Sequence, residues 1–575
     1  MTHVKTVFAA LLLAAMLSAM SQAQTVKVIL AGSSAMWQSM ALAAYKSGAC
    51  VSGGTAPCFH YTGNNFNLTD GRPTVKGGAS ATDLGNVWVV WDSNPTSINI
   101  WAYIKVDSVV GTRCYFAQPQ CSVNIATFPA PANAISSALW GDNSSDTTPP
   151  AAVSALFTSG SLLVNTAATD IRPEDGLFAQ CRANSVLGGG VDGLKGLGYG
   201  TNPSGVCPTF GSTLAKLEGA DILSGYPAST STAHVLAFAL TGRDPFTGTA
   251  IPVPSTVSVG AAPIVFVTQR TGALATVTNA SDSELQAVFG GSNCDASAFG
   301  ASSSPIQAYL REPLSGTMNT TEYNVFRYPA FSGVSQETGV AAANPLAKSC
   351  SSGGKRFRAI GTGEEVKSVQ NSGTNNGTDG IGYTFFSYGN VSSIANSASY
   401  GYLTLNGIDP IFHRYGSTID PGQPAIAGAL PSSANLPSAC SGAFPCPEGK
   451  IWSGNLSFPN VRNGSYRAWS ILRIVSNGAA LASAKLLVTG AQTYAVTTVP
   501  DFIPALKVGA VDPGLALLRS HYTQSGVAPV NIAVAGDRGG DVGGCVLTSS
   551  GAVATSDTTT KLAQSAPGTS CVSVP

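Results

Sequence analysis

Arg311-Glu312-Pro313-Leu314-Ser315-Gly316-Thr317, with Pro305 to Leu310 before it and Met318 to Arg327 after it, is the stretch from which the fold reads outward. The apolar-rich segment Pro305 to Leu310 is short enough for a strand, and Thr317 to Arg327 has the length of a short helix. Ser315 and Thr317 are both good helix N-caps. A strand, a tight Ser-Gly-Thr turn and a helix start together aim several backbone N–H groups and hydroxyls at one spot. Arg311 beside it makes that spot fit a tetrahedral oxyanion.

Two more junctions have this form. Thr25 to Leu30 reads as a buried strand, Ala31-Gly32-Ser33-Ser34 as a turn, and Ala35 to Lys46 as a helix with Met36, Met40, Ala43 and Ala44 at helical spacing. Leu162 to Asn165 is a short apolar strand running toward Asp170, ahead of Pro173, where a helix would begin. At that position Asp170 suits a helix cap and a ligand role equally. Further on, Pro263 to Gln269 reads as a buried strand, Ser281 to Phe289 as a Ser-capped helix stopped by Gly290-Gly291, and Glu364 to Gln370 as a helix. Gly380 to Phe386 reads as a strand, and Tyr466 to Val475 as a strand leading into a helix over Asn477 to Val488. Within Thr62 to Pro150, Asn86 to Asp92 and Ile98 to Val106 are β segments, the second running on toward Cys114 to Phe116, and the whole reads as a β-rich insertion. Short apolar strands alternating with helices predict an α/β protein with β-rich and loop insertions. The G-G-G-V-D-G run inside Leu187 to Gly200 follows no clear strand and opens no helix, so it reads as a surface loop and not a dinucleotide fingerprint.

Composition narrows the function. Among 575 residues, 44% are apolar and only 10% charged, with Lys plus Arg (30) balancing Asp plus Glu (30). No global field exists to steer nucleic acid, so an anion must be held locally. His3 and Lys5, the apolar run Val7 to Met20 and the small residues Ser21-Gln22-Ala23 predict a signal peptide over residues 1–23, with no cysteine after it for a lipid anchor. Later apolar runs are broken by Gly, Pro or charge, so no membrane insertion is expected. An exported, periplasmic or secreted protein suits the twelve cysteines, whose neighbours pair as Cys50 with Cys58, Cys114 with Cys121, Cys181 with Cys207, Cys294 with Cys350, Cys440 with Cys446 and Cys545 with Cys571. No C-x-x-C occurs and the five histidines are scattered, which favours disulfides over a metal. There is no G-x-S-x-G, H-E-x-x-H or P-loop, and His60, His234, His413 and His521 lie in no triad pattern; no catalytic residue, cofactor or enzymatic activity is expected.

Arg311-x-x-x-Ser315-Gly316-Thr317 resembles the R-x-x-x-S-G-T phosphate motif of the phosphate-binding component of bacterial phosphate ABC transporters and of the related secreted DING-type phosphate binders. In order around it, Ala31-Gly32-Ser33-Ser34 resembles that family's first phosphate loop, with Ser34 at its Ser/Thr ligand position. Ala168-Thr169-Asp170 resembles its A-S-D segment, Leu285 to Gly290 its I-x-x-G helix end, and Gly380-Ile381-Gly382-Tyr383 its G-A-I-G-Y strand. The resemblance implies the type II periplasmic-binding-protein fold: two α/β lobes, a two-strand hinge and a ligand clamped between them. Lobe 1 would occupy 24–265 with the β-rich insertion at about 66–160. Lobe 2 would occupy 266–455, and 456–575 would return to lobe 1 and end in a disulfide-stapled tail. It further implies inorganic phosphate as ligand, an ABC permease as candidate partner and a monomer, with Ser34, Asp170, Arg311, Ser315, Gly316 and Thr317 as phosphate ligands. Two features depart from the family: Pro313 stands where it often keeps an Asp, with Glu312 adjacent instead, and the nearest candidate for its second serine loop is Gly63-Asn64-Asn65.

Arg311 could make a two-pronged contact to an oxyanion. Asp170 would discriminate: phosphate at neutral pH carries a proton for a carboxylate to accept, whereas sulfate carries none and is repelled. The alternative from another class is a secreted surface or adhesive protein that keeps the scaffold without a transport role and uses its insertions for contacts.

Overall fold

The structure, a computed structural model, describes residues 23–46, 57–71, 81–94, 97–141, 144–171, 255–312, 314–326, 347–386, 400–410 and 468–497, the single residues Gln336 and Tyr466, and short strands at 414–415, 418–419, 438–440, 450–452, 530–533, 545–546 and 570–574. Residues 1–22 of the expected signal segment, the Gly-rich run at 187–200, Pro173 and Pro313 lie outside these residues, while Ala23 opens the first strand.

In chain order the elements that build the site are β1 (Ala23–Gly32), α1 (Trp37–Lys46), β2 (Cys58–Asp70), β3 (Ala81–Asp92), β4 (Ser97–Lys105), α2 (Ser108–Phe116) and β5 (Thr166–Thr169). There follow β6 (Ser255–Gln269), α3 (Asp282–Gly290), β7 (Gln307–Arg311), α4 (Gly316–Thr321), β8 (Lys355–Ala359), α5 (Thr362–Gln370), β9 (Gly380–Phe385), β10 (Tyr400–Leu405), β11 (Trp469–Ser476) and α6 (Gly478–Thr497). Val28 to Ala31 of β1 are fully buried because parallel neighbours and helices cover both faces, which is why the strand reads as one continuous apolar run. In β3 and β4 alternate residues enter different cores. Trp88, Val90, Trp101 and Tyr103 join the one under α1, and Val87, Val89, Ile100 and Ile104 join the one under α2.

Strand order defines the class. In lobe 1, β1 lies between β4 and β5 and parallel to both, and antiparallel β11 follows β5. In lobe 2, β7 lies between β8 and β9 and parallel to both, and antiparallel β6 follows β9. Each lobe therefore runs second, first, third strand and then a strand of opposite direction, the order of the type II periplasmic-binding-protein fold. The long β6 joins them: Ser255 to Pro263 pairs with β11, and Ile264 to Thr268 pairs with β9. The core is continuous through this crossing, from Leu30 and Met36 to Phe266, Phe289 and Tyr383.

Several expected elements shift. Ser97–Lys105, expected inside an insertion, is the parallel neighbour of β1 and belongs to the central sheet. The run toward Cys114 to Phe116 is the helix α2 and not an extended strand; its β-branched Val109 and Val110 imitate strand composition, and their burial under the sheet outweighs that preference. Ser281 caps α3 with a full capping box to Glu284, and Gly291 closes it in the left-handed conformation. The disulfides Cys114–Cys121 and Cys294–Cys350 form, with Cα atoms 4.8 and 5.7 Å apart. Cys545 and Cys571 face each other across an antiparallel pair, while Cys50, Cys181, Cys207 and Cys446 lie outside the described residues. Among the described residues no helix is long and apolar enough to cross a membrane.

Candidate oxyanion site between the lobes

Five turns at the carboxyl ends of parallel strands face one another across the lobes, at the places where an open α/β sheet reverses its winding and forms a crevice. Lobe 1 contributes the turns after β1, β4 and β5; lobe 2 contributes those after β7 and β8.

After β1 the chain turns so tightly that a Cβ on Gly32 would lie 1.9 Å from the Ala168 carbonyl oxygen, and its φ is +138°. Only glycine fits. The Ser33 N–H then donates to that carbonyl at 2.8 Å, and the Ser33 hydroxyl accepts from Ala35 N–H, leaving the Ser34 hydroxyl to point across the cleft, 3.1 Å from Thr362 Oγ1. After β4 come Asp107 and Ser108, the latter opening α2. After β5 comes Asp170, only 2% exposed, whose carboxylate accepts a short hydrogen bond from the Ser108 hydroxyl.

In lobe 2, Arg311 ends β7 and is 2% exposed. Its Nε and Nη2 donate to the two oxygens of Glu312, each at 2.8 Å. Nη1 donates to Thr362 Oγ1 at 2.9 Å and to Thr317 Oγ1 at 3.4 Å, and Asp107 Oδ1 of lobe 1 lies 3.7 Å from Nη2. Burial works against charge on the guanidinium, but Glu312 and Asp107 outweigh it and keep it protonated. Burial likewise disfavours the Glu312 carboxylate. The Arg311 charge, its hydrogen bonds to Glu312 and the Gly361 N–H outweigh it, holding Glu312 below the usual carboxylate range. The two-pronged contact expected between Arg311 and a ligand is thus made to Glu312, on the Nε side, and the Nη1 end faces the hydroxyls. Glu312, next to Arg311 in sequence, carries out the charge balance from there.

Ser315 uses its hydroxyl to cap α4, accepting from Met318 N–H at 3.3 Å. Gly316, the next residue, meets lobe 1 directly: a Cβ there would lie 1.6 Å from Asp170 Oδ1 and 2.6 Å from Ser108 Oγ. Leu314 is fully buried in the lobe 1 core that holds Val109, and its carbonyl accepts from Val109 N–H at 3.4 Å. Ser34 and Arg311 line a cavity of about 430 Å3 together with Asp107, Thr362, Trp37 and Lys105, while Asp170 and Gly316 pack behind it.

The six residues singled out in the sequence lie in one cluster spanning both lobes. Ser108, Asp107 and Thr362 join them and were not singled out. Ser108 occupies the turn after the second parallel strand, whereas Gly63-Asn64-Asn65 forms a bulge inside antiparallel β2, with Asn65 at the cavity's edge. The Asp-Ser pair directly after an alternating strand was the available signal for Ser108. For Thr362 it was the Gly-Thr-Gly-Glu-Glu run, which opens α5 two residues before the expected start.

The fold and site define a two-lobed α/β protein with a polar interlobe cleft. No protein-family model matches the chain, and no curated protein matches it. Solved structures similar to it include an ABC-type phosphate transport receptor from Vibrio cholerae (12% identity, TM-score 0.23, covering 41% of this chain and 66% of that one). Two others are a DING protein (12%, 0.33, 87% and 96%) and a human phosphate-binding apolipoprotein (14%, 0.32, 87% and 95%). Strand order within each lobe, and not these likenesses, carries the fold.

Proposed function

We propose that the chain is an exported substrate-binding protein that captures inorganic phosphate between its lobes, for ABC-type uptake or scavenging, and works as a monomer. Ser34, Asp170, Arg311, Ser315, Gly316 and Thr317 are the proposed ligands, with Ser108 added. The observation that carries this reading is the meeting of Asp170 from lobe 1 with the start of α4 in lobe 2, beside Arg311. Backbone N–H groups at a helix start and the Nη1 end of Arg311 donate to the unprotonated oxygens. Asp170 accepts the proton that phosphate keeps at neutral pH and repels an anion that has none.

Isothermal titration of the mature protein with phosphate and with sulfate tests it. Heat with phosphate and little with sulfate is expected. Asp170→Asn should weaken phosphate and narrow its advantage over sulfate, because an amide can donate to either anion. Binding of sulfate but not phosphate would overturn the proposal. Export is tested by sequencing the amino terminus of protein recovered outside the cytoplasm.

A further inference from the structure

A second constellation lies in lobe 1 and lines no part of the interlobe cavity. His60 sits in β2 and is 2% exposed. Its Nδ1 is 2.8 Å from Asp146 Oδ1, and its Nε2 is 3.1 Å from the hydroxyl of Ser144, an exposed residue. The Asp146 side chain is fully buried; its Oδ2 also accepts from Thr62 N–H at 2.9 Å and Asn133 N–H at 3.0 Å, and takes a short bond from the Thr62 hydroxyl. Asp146 is the acceptor of each of these contacts, so Nδ1 is the donor nitrogen of the ring and, in the corresponding tautomer, Nε2 is the acceptor. That leaves the Nε2 lone pair facing the Ser144 hydroxyl. The ring cannot turn away: it stacks on Trp140 at 4.1 Å and meets the Tyr45 ring edge-on at 4.9 Å.

We propose that Ser144, His60 and Asp146 act as nucleophile, general base and orienting acid, giving the protein a hydrolytic activity toward small carboxylic esters that is separate from anion capture. Such a set is recognised by geometry and role, not by order in the chain. The Ser144 oxygen bonds to the ester carbonyl carbon while Nε2 takes the hydroxyl proton. The ester C–O bond then breaks, and the imidazolium returns that proton to the departing alcohol. Water repeats the two steps on the acyl-serine, releasing the carboxylic acid and restoring Ser144. The exposed serine admits substrate, and the buried pair beneath it holds the base. Sequence could not show this, because His60 lies on a strand far along the chain from the turn that bears Ser144 and Asp146.

The test uses the full mature chain with p-nitrophenyl acetate and a fluorophosphonate probe. Expected are one covalent label, mapped by mass spectrometry to Ser144, and measurable turnover of the ester. Ser144→Ala should abolish the label and lower turnover roughly 100-fold. Because substitution of buried His60 could disturb folding, Ser144→Cys provides a second readout. Beside this imidazole its thiol should be alkylated by iodoacetamide at pH 6 about tenfold faster than free cysteine. Labelling no stronger than in Ser144→Ala, or a thiol in the Ser144→Cys variant as slow as free cysteine, overturns the proposal.

Discussion

Replacing Gly316 by alanine adds one methyl group at the place where the lobes touch. That methyl would lie 1.6 Å from Asp170 Oδ1, whereas non-bonded heavy atoms in contact stand about 3.5 Å apart. The lobes would have to part by roughly 2 Å, or Asp170 would have to leave its position. It has little room to leave, being buried and bonded to Ser108. Gly316 itself opens a helix with ordinary backbone angles, and alanine is the better helix former by about 1 kcal/mol, so lobe 2 should fold normally. Parting the lobes removes one or two hydrogen bonds to a charged ligand, at about 1.5–3 kcal/mol each. The phosphate dissociation constant should rise by roughly ten- to ten-thousand-fold with thermal stability nearly unchanged. Calorimetry gives the affinity, and small-angle scattering with and without phosphate gives the closure. A Gly316→Ala protein that binds phosphate as tightly as the parent and compacts to the same radius would refute the clamp.

Leu314→Ala withdraws a fully buried side chain from the lobe 1 core and should cost about 2–5 kcal/mol, expressed as weaker closure; faster exchange of the Val109 amide in hydrogen-exchange mass spectrometry checks it. Gly32→Ala places a methyl 1.9 Å from the Ala168 carbonyl and forces an L-residue to φ +138°, so the β1–β5 junction should fail and the melting temperature fall by several degrees in a thermal scan. Burial raises the Glu365 carboxyl well above its usual range, an effect that Arg311 and the Tyr383 N–H reduce and that Glu312 and Glu364 reinforce. Above about pH 4.3 the unfolded chain has lost this proton and the folded one keeps it, so its contribution to stability falls by about 1.4 kcal/mol per pH unit until the folded group ionises. Glu365→Gln should therefore gain on the parent as pH rises from 5 to 7 in urea unfolding, and a constant difference would count against it.

Legibility in the sequence followed how local each feature is. β1 with its turn, α3 with its capping box, β9 and the R-E-P-L-S-G-T junction are set by neighbours within a few residues, and they read correctly. Asp170 was found through the Ala-Thr-Asp segment, but its strand was placed a few residues early: Leu162 and Leu163 resemble a strand core, whereas the strand leading to the site is Thr166–Thr169. β4 and α2 were misassigned because membership of a central sheet depends on pairing with β1, which the local pattern does not contain. Ser108 and Thr362 were lost with those boundaries. The role of Glu312 was half legible: its place beside Arg311 was plain, and the direction of its approach was not.

The pairing of Arg311 with Glu312, with Asp107 3.7 Å away and Asp170 behind, also bears on kinetics. An incoming anion meets a guanidinium whose charge is already matched, so attraction from afar contributes little to its capture rate. Between 0.01 and 1 M salt the screening length shrinks from about 30 to about 3 Å, yet stopped-flow association rates for phosphate should stay nearly level. Such a binder would work as well in sea water as in a dilute pond.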